Sequence, residues 1–319
     1  MRLRGIGPEV LLLCFLVIGA AAFLLGRRSA RGRRLRREGD YFAGLDHLVN
    51  DRFDRATEVF TRLATKQDGA DIQFALGSLM RKRGEVDRAI AIHTELAAHE
   101  RQEIREQATF ALGLDYLSAG LMDRAEEKLR SLLGSTLYRP AVLERLAWVY
   151  EQQRDWRAAL DLWRELPAEK QRELAVVAAH YCCELGEVAL AAADFAEARA
   201  QVAAARAHAP DSARAALLAA RIAAAAGDEG KALELYAAAL GDSRTMRAAF
   251  EPEARLALRS QTNALDERLR ANPPRDEADP PEPPRFRCDE CGVASVTWHW
   301  RCPRCRNWDS LRTTQNRGN

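Results

Sequence analysis

One ten-residue pattern recurs six times through the middle of this 319-residue chain, and it leaves few ways for the chain to fold. The segments are DRFDRATEVF (Asp51–Phe60), GEVDRAIAIH (Gly84–His93), GLMDRAEEKL (Gly120–Leu129), RDWRAALDLW (Arg154–Trp163), ADFAEARAQV (Ala193–Val202) and GDEGKALELY (Gly227–Tyr236). Stacked, they align Ala56, Ala89, Ala125, Ala159, Ala198 and Ala232 at spacings of 33, 36, 34, 39 and 34 residues. Further apolar runs lie upstream: ALGSLM places Leu76 and Gly77, ALGLDY places Leu112, Gly113 and Tyr116, and RLAWVY places Leu146 and Tyr150. Small residues at a helix crossing let two helices approach closely, while Leu, Tyr and Phe one turn away fill the gaps. No such pair buries its apolar face alone, so neighbours must stack.

The pattern resembles the tetratricopeptide repeat, a helix–turn–helix unit of 34 residues. It predicts a mainly α fold, a solenoid of six units whose groove holds a peptide or protein. In the fifth unit Pro210 ends the second helix on schedule. His93, Trp148, Trp156 and Trp163 take core positions in this register. Cys182 and Cys183 are adjacent in a helix, point about 100° apart, and read as small buried hydrophobes rather than a redox pair. After Gly241 the pattern decays, and EPEARLALRSQTNALDERLR (Glu251–Arg270) reads as a final amphipathic helix with Pro252 in its first turn. The acidic stretch from Pro273 to Pro284 holds six of the twelve prolines. It reads as an extended tether reaching roughly 37 Å.

The N-terminus carries Val10–Gly26, seventeen residues without a charge. At 1.5 Å per residue this run is roughly 25 Å long, inside the working range for a transmembrane helix. Cys14 within it is apolar filler. Arg2 and Arg4 would suit the basic region of a secretory signal peptide, but the run ends in GRRSARGRRLRR rather than at a small-residue cleavage site. An uncleaved anchor is therefore expected. Arg27, Arg28, Arg31, Arg33, Arg34, Arg36 and Arg37 follow it, which places the bulk of the chain on the cytoplasmic side. The same arginines would attract anionic headgroups.

Near the C-terminus, CDECGVASVTWHWRCPRC (Cys288–Cys305) sets two Cys-x-x-Cys pairs ten residues apart. Two such turns brought face to face by a short hairpin supply Cys288, Cys291, Cys302 and Cys305 for a tetrahedral cation. Zinc is expected for a closed structural site; iron fits the same sulfurs, as in rubredoxin. Gly292 can take the positive φ that closes a knuckle. His299 lies between the pairs, but four cysteines complete the shell without it. A module of about 30 residues has almost no core, so metal and Trp298, Trp300 and Trp308 must stabilise it. Two disulfides would need an oxidising compartment, against the cytoplasmic orientation. Arg285, Arg287, Arg301, Arg304 and Arg306 beside exposed aromatics would also suit a nucleic-acid ribbon. A net charge of +2 and a protein-holding array speak against nucleic acid as partner.

The combination of GRRSA (Gly26–Ala30), RGEVDRAIAIH (Arg83–His93), GLDYLSAGLMDRAEE (Gly113–Glu127) and RCDECGVASVTWHWRCPRCRNW (Arg287–Trp308) resembles the lipopolysaccharide assembly protein B family of Gram-negative bacteria along essentially the whole chain. That resemblance implies an inner-membrane adaptor that restrains lipopolysaccharide synthesis by presenting the deacetylase LpxC to the membrane protease FtsH. It also implies contacts with other envelope proteins, metal ligation by Cys288, Cys291, Cys302 and Cys305, and a metal module packed against the repeats. The stretch between repeats and module is here short and proline-rich. The expected division is an anchor over 1–38, repeats over 39–270, a linker over 271–284 and the metal domain over 285–319. No P-loop, Gly-x-Ser-x-Gly or His-Glu-x-x-His occurs, so no enzyme is expected. Two other readings remain: a membrane-anchored scaffold for envelope enzymes without a proteolytic role, and a rubredoxin-type electron carrier. Copy number, including a homo-oligomer, is left open.

Overall fold

Left-handed residues recur at one position of the repeat, and they set where each helix pair turns. The computed structural model describes residues 39–47, 49–50, 52–64, 69–241, 243–272 and 286–314. Gly84, Gly120, Arg154, Ala193 and Gly227 all have φ between 57° and 82°. Each lies five residues before an aligned alanine, at the first position of its segment. A side chain following this turn often caps the second helix: Asp155 accepts from the Ala158 amide, Asp194 from Glu197 and Asp228 from Lys231, each at 3.0 Å. In these three repeats the local code is a left-handed residue, an aspartate and a helix start, while after Gly84 and Gly120 the cap positions Glu85 and Leu121 make no side-chain bond.

The chain divides into two compact units, residues 1–149 and 150–319. In the first lie α1 (Phe53–Ala64), α2 (Ala70–Lys82), α3 (Val86–Ala97), α4 (Gln102–Ser118), α5 (Met122–Arg130) and most of α6 (Arg139–Gln153). Helix α3 packs on α2 and α4, and α5 on α4. In the second lie α7 (Trp156–Arg164), α8 (Ala168–Glu173), α9 (Ala175–Ala191), α10 (Phe195–His208), α11 (Ala213–Ala225), α12 (Glu229–Gly241), α13 (Arg244–Ala257) and α14 (Thr262–Ala271). A three-stranded sheet follows them in the same unit.

The six aligned alanines are 0–1% exposed. Close approach between paired helices is evident at Gly77, where a Cβ would lie 2.5 Å from His93 Nε2. His93 and Asp115 are fully buried and joined Nδ1 to Oδ2 at 2.6 Å, and Arg81 Nη1 donates to Asp115 Oδ1 at 2.6 Å. The carboxylate is paired on both oxygens, which meets the requirement for a buried charge. Trp156, Cys182 and Cys183 are buried as expected. Burial pushes the two thiols up to about 11 and about 12. Trp163 is half-buried against the cluster around Cys182 and Val202, and Trp148 is half-buried too.

Two expectations differ from the structure. Pro252 lies inside α13 rather than in the first turn of a final helix, and Leu258–Gln261 break that stretch before α14 begins. Proline removes one amide donor, but α13 continues through it because Met246, Phe250 and Ala254 bury on one face. The second concerns localisation. A single-pass placement in the cell inner membrane was expected, but among the described residues no helix is long and apolar enough to cross a membrane. The longest of them, α4 and α9, have seventeen residues, and α4 is interrupted by charges. Val10–Gly26 and the arginines after it lie outside the described residues, as does the proline-rich stretch from Pro273 to Pro284.

Candidate metal centre and its docking on the repeat helices

The sheet is built around Phe286. Strand β1 (Phe286–Cys288) pairs antiparallel with both β2 (Ala294–Ser295) and β3 (Leu311–Thr313), giving the order β2-β1-β3. Phe286 and Leu311 are buried beside Cys288 and Cys302, with Val293 and Trp298 half-buried against them. Between the knuckles the sheet takes in only Ala294–Ser295, and Arg301 forms an isolated antiparallel bridge to Trp308. Residues 296–300 leave the sheet, and Trp298 and Trp300 turn toward the helices.

The two knuckles repeat one geometry. The Gly292 amide donates to the Cys288 carbonyl at 2.9 Å, and that of Arg306 donates to the Cys302 carbonyl at 3.0 Å. The Cys288 amide donates to Val293 and that of Cys302 to Asn307, both at 2.9 Å. Gly292 and Arg306 both take positive φ, 70° and 64°. The Cys-x-x-Cys turn requires that conformation whether or not glycine supplies it.

The sulfurs of Cys288, Cys291, Cys302 and Cys305 lie within 4.8 Å of one another. Cys288 and Cys305 are 3.5 Å apart, Cys291 and Cys302 3.6 Å. Tetrahedral thiolates at about 2.3 Å from a zinc ion stand about 3.8 Å apart, so the donor set fits a metal closely. All four are free cysteines. The Ser310 hydroxyl, 3.3 Å from Cys288 Sγ, with the Cys291 and Glu290 amides, favours thiolate and pulls the Cys288 thiol down to about 6. His299 points away, with Nε2 3.0 Å from Thr297 Oγ1. The four cysteines thus form a possible metal site with sulfur ligands throughout.

The ribbon is seated on the helices of its own unit. Glu151, at the end of α6, gathers three donors. Its Oε1 accepts from Tyr181 Oη at 2.7 Å and Trp308 Nε1 at 3.1 Å, and its Oε2 accepts from Arg301 Nη2 at 2.5 Å. Trp308 stacks on His180 at 4.7 Å, and His180 Nε2 meets Asp309 Oδ2 at 2.7 Å. Trp300 stacks on Phe250 of α13 at 5.5 Å. The Arg214 guanidinium lies 5.9 Å from the Trp300 ring and 5.7 Å from the Trp308 ring. Arg306 adds a bond to Gln152, and Thr313 one to Thr245 at 3.0 Å. The tryptophans expected to stabilise the module thus do so largely through the helices. The partners Glu151, His180, Tyr181, Arg214 and Phe250 carry no such signal in sequence, because each occupies an ordinary helix position.

Repeat helices joined to a sulfur-lined ribbon define a class: a tetratricopeptide-repeat protein with a rubredoxin-type metal module. The tetratricopeptide-repeat family matches residues 41–101 and 183–260, and the rubredoxin metal-binding domain matches residues 286–313. Along its length the chain resembles lipopolysaccharide assembly protein B. The relative from Escherichia coli K12 is 28% identical over 379 aligned positions, covering 95% of this chain and 97% of the relative. That from Haemophilus influenzae is 28% identical over 196 positions, covering 56% and 49%. The longer alignment exceeds the 319 residues here, so the E. coli protein carries segments this chain lacks. A solved structure of Pseudomonas aeruginosa pilF aligns over 73% of this chain and 99% of its own, at 18% identity and a TM-score of 0.37.

Proposed function

We propose that this chain is a non-enzymatic adaptor of lipopolysaccharide biosynthesis that works through protein–protein contacts. Its repeat helices hold a client of the LpxC deacetylase type and promote its degradation by an FtsH-type protease. The observation that carries this reading is the resemblance to lipopolysaccharide assembly protein B over 95% of the chain, with repeats and metal module both retained. An adaptor needs no bond-making residue: holding client and protease together raises their effective concentration. Repeats over 39–270 would provide the holding surface, with the linker over 271–284 leading to the metal domain over 285–319.

In this reading Cys288, Cys291, Cys302 and Cys305 hold zinc as a structural ion. When bound, the ion neutralises crowded thiolates and ties the two knuckles together. The protein's own residues do the rest: Ser310 and the knuckle amides orient the sulfurs, and Glu151, His180 and Arg214 hold the ribbon in place. Depleting the protein and following the deacetylase by pulse–chase tests the role. A prolonged half-life is expected; an unchanged half-life refutes the proteolytic reading.

A further inference from the structure

A cavity of about 680 Å³ lies where the ribbon meets α9, α11 and α13, all within the second unit. Its walls are largely apolar, with Trp298, Trp300, Met246 and Leu311 among them. The polar part is one-sided. Arg214 is 6% exposed, and only its Nη2 has a hydrogen-bond acceptor, Glu184 Oε1 at 2.8 Å. Its Nε and Nη1 are buried without an acceptor, as is Trp298 Nε1 on the ribbon side. Buried polar atoms in folded proteins are nearly always paired, so these three donors around one cavity, with His180 Nδ1 as a fourth unpartnered atom in its lining, are exceptional.

Two helix starts add to the same polarity. Ser212–Arg214 begin α11 and Ser243–Met246 begin α13, and both stretches contribute lining residues. Each serine caps only the third amide of its helix, Ala215 at 3.2 Å and Met246 at 3.4 Å. A helix start carries about half a positive charge and free amides, which favours an anion. Of the carboxylates in the lining, Asp309 is engaged by His180 and Asp211 is exposed at the rim. Arg312 and His208 stand at the rim as further cationic or donor groups.

We propose that this cavity receives a carboxylate side chain from a segment of a client protein, with apolar neighbours of that segment on Trp298, Trp300 and Met246. The inference rests on the adaptor reading and gives it a point of contact: an acidic residue flanked by hydrophobic ones. Aromatic walls with a few convergent donors suit a peptide better than a bare ion. Arg214 joins the two halves of the site, since the same guanidinium packs on ribbon tryptophans and lines the cavity.

The test is affinity selection on the immobilised full chain with two degenerate hexapeptide pools, one with a fixed central glutamate and the other a fixed central glutamine. Retention of the glutamate pool should exceed that of the glutamine pool by about tenfold, the worth of one charge-assisted hydrogen bond. R214Q should abolish the difference. Because R214Q removes a ribbon contact, V176W is the second variant: Val176 lines the cavity and is 48% exposed, so a larger ring there should take up cavity space while Arg214 itself is kept. Equal retention of the two pools overturns the proposal, as does a preference that V176W leaves unchanged. Binding of phosphatidic-acid vesicles with no pool preference would likewise overturn it in favour of a lipid phosphate. These readouts use purified protein, so their failure would remove the cavity assignment and leave deacetylase half-life as the separate measure of the adaptor role.

Discussion

Replacing Glu151 with alanine should release the ribbon from the helices. The side chain is 14% exposed and its partner Arg301 17% exposed, so the pair is largely withdrawn from water. Removal strands three donors at once: Arg301 Nη2, Tyr181 Oη and Trp308 Nε1. Breaking a buried ion pair costs about 3–5 kcal/mol, and a stranded neutral donor about 1–3 kcal/mol. The three share one acceptor and water will reach some of them after undocking, so the terms do not add. A loss of about 3 kcal/mol is expected. For a unit of 170 residues (150–319) that corresponds to a fall in melting temperature of roughly 6–12 °C. E151Q keeps an acceptor for Trp308 or Tyr181 and should lose about half as much. The assay is urea unfolding followed by tryptophan emission, since Trp156, Trp300 and Trp308 all lie at or near the junction. The red shift of the variant should come in an early phase, with far-UV ellipticity retained. An E151A protein with the wild-type midpoint and emission would refute the view that this carboxylate holds the ribbon. A double-mutant cycle with R301A should show coupling well above the few tenths of a kcal/mol expected of independent sites.

Arg154 and Ala193 sit at φ 57° where three other repeats place glycine, so R154G and A193G should each stabilise the protein by about 0.5–1 kcal/mol, read as a raised thermal midpoint. C288S/C291S should abolish metal binding, measured by elemental analysis of the purified chain, and expose the ribbon to protease while helical ellipticity stays near wild type. The Cys182 and Cys183 thiols are raised in the fold by burial, from an ordinary value of 9.0 to about 11 and about 12. Their contribution is therefore complete below pH 9 and lost between pH 9 and about 12, as the unfolded thiols ionise first. Stability should fall by roughly 1 kcal/mol per thiol by pH 10, and C182A/C183A should remove that part of the slope in denaturant titrations at successive pH values.

The repeats could be read from the sequence because every requirement within them is local. An alanine at the crossing and a turn residue five positions earlier recur along the chain, joined in three repeats by an aspartate at the helix start, and helical periodicity carries each to the same place. Ala56 through Ala232 are accordingly all buried. The knuckles were legible for the same reason, since Cys-x-x-Cys fixes two sulfurs within a single turn. Even there the pattern hid a detail: Arg306 holds the conformation that Gly292 advertises. Pro252 misled for the opposite reason, as a strong local helix signal gave way to the packing of Met246, Phe250 and Ala254.

The seat of the ribbon was settled only by the assembled helices. Glu151 and Trp308 are 157 residues apart, and His180 and Asp309 are 129 apart. Before folding, Glu151 is one more acidic residue near a helix end and His180 one more polar position on an alanine-rich helix. Stacking α9, α11 and α13 side by side brings Tyr181, Arg214 and Phe250 onto one surface, and that surface selects which side of the ribbon faces inward. Chain-local periodicity decides how each helix pair forms, but the choice of partners across more than a hundred residues depends on positions that exist only once the pairs are packed.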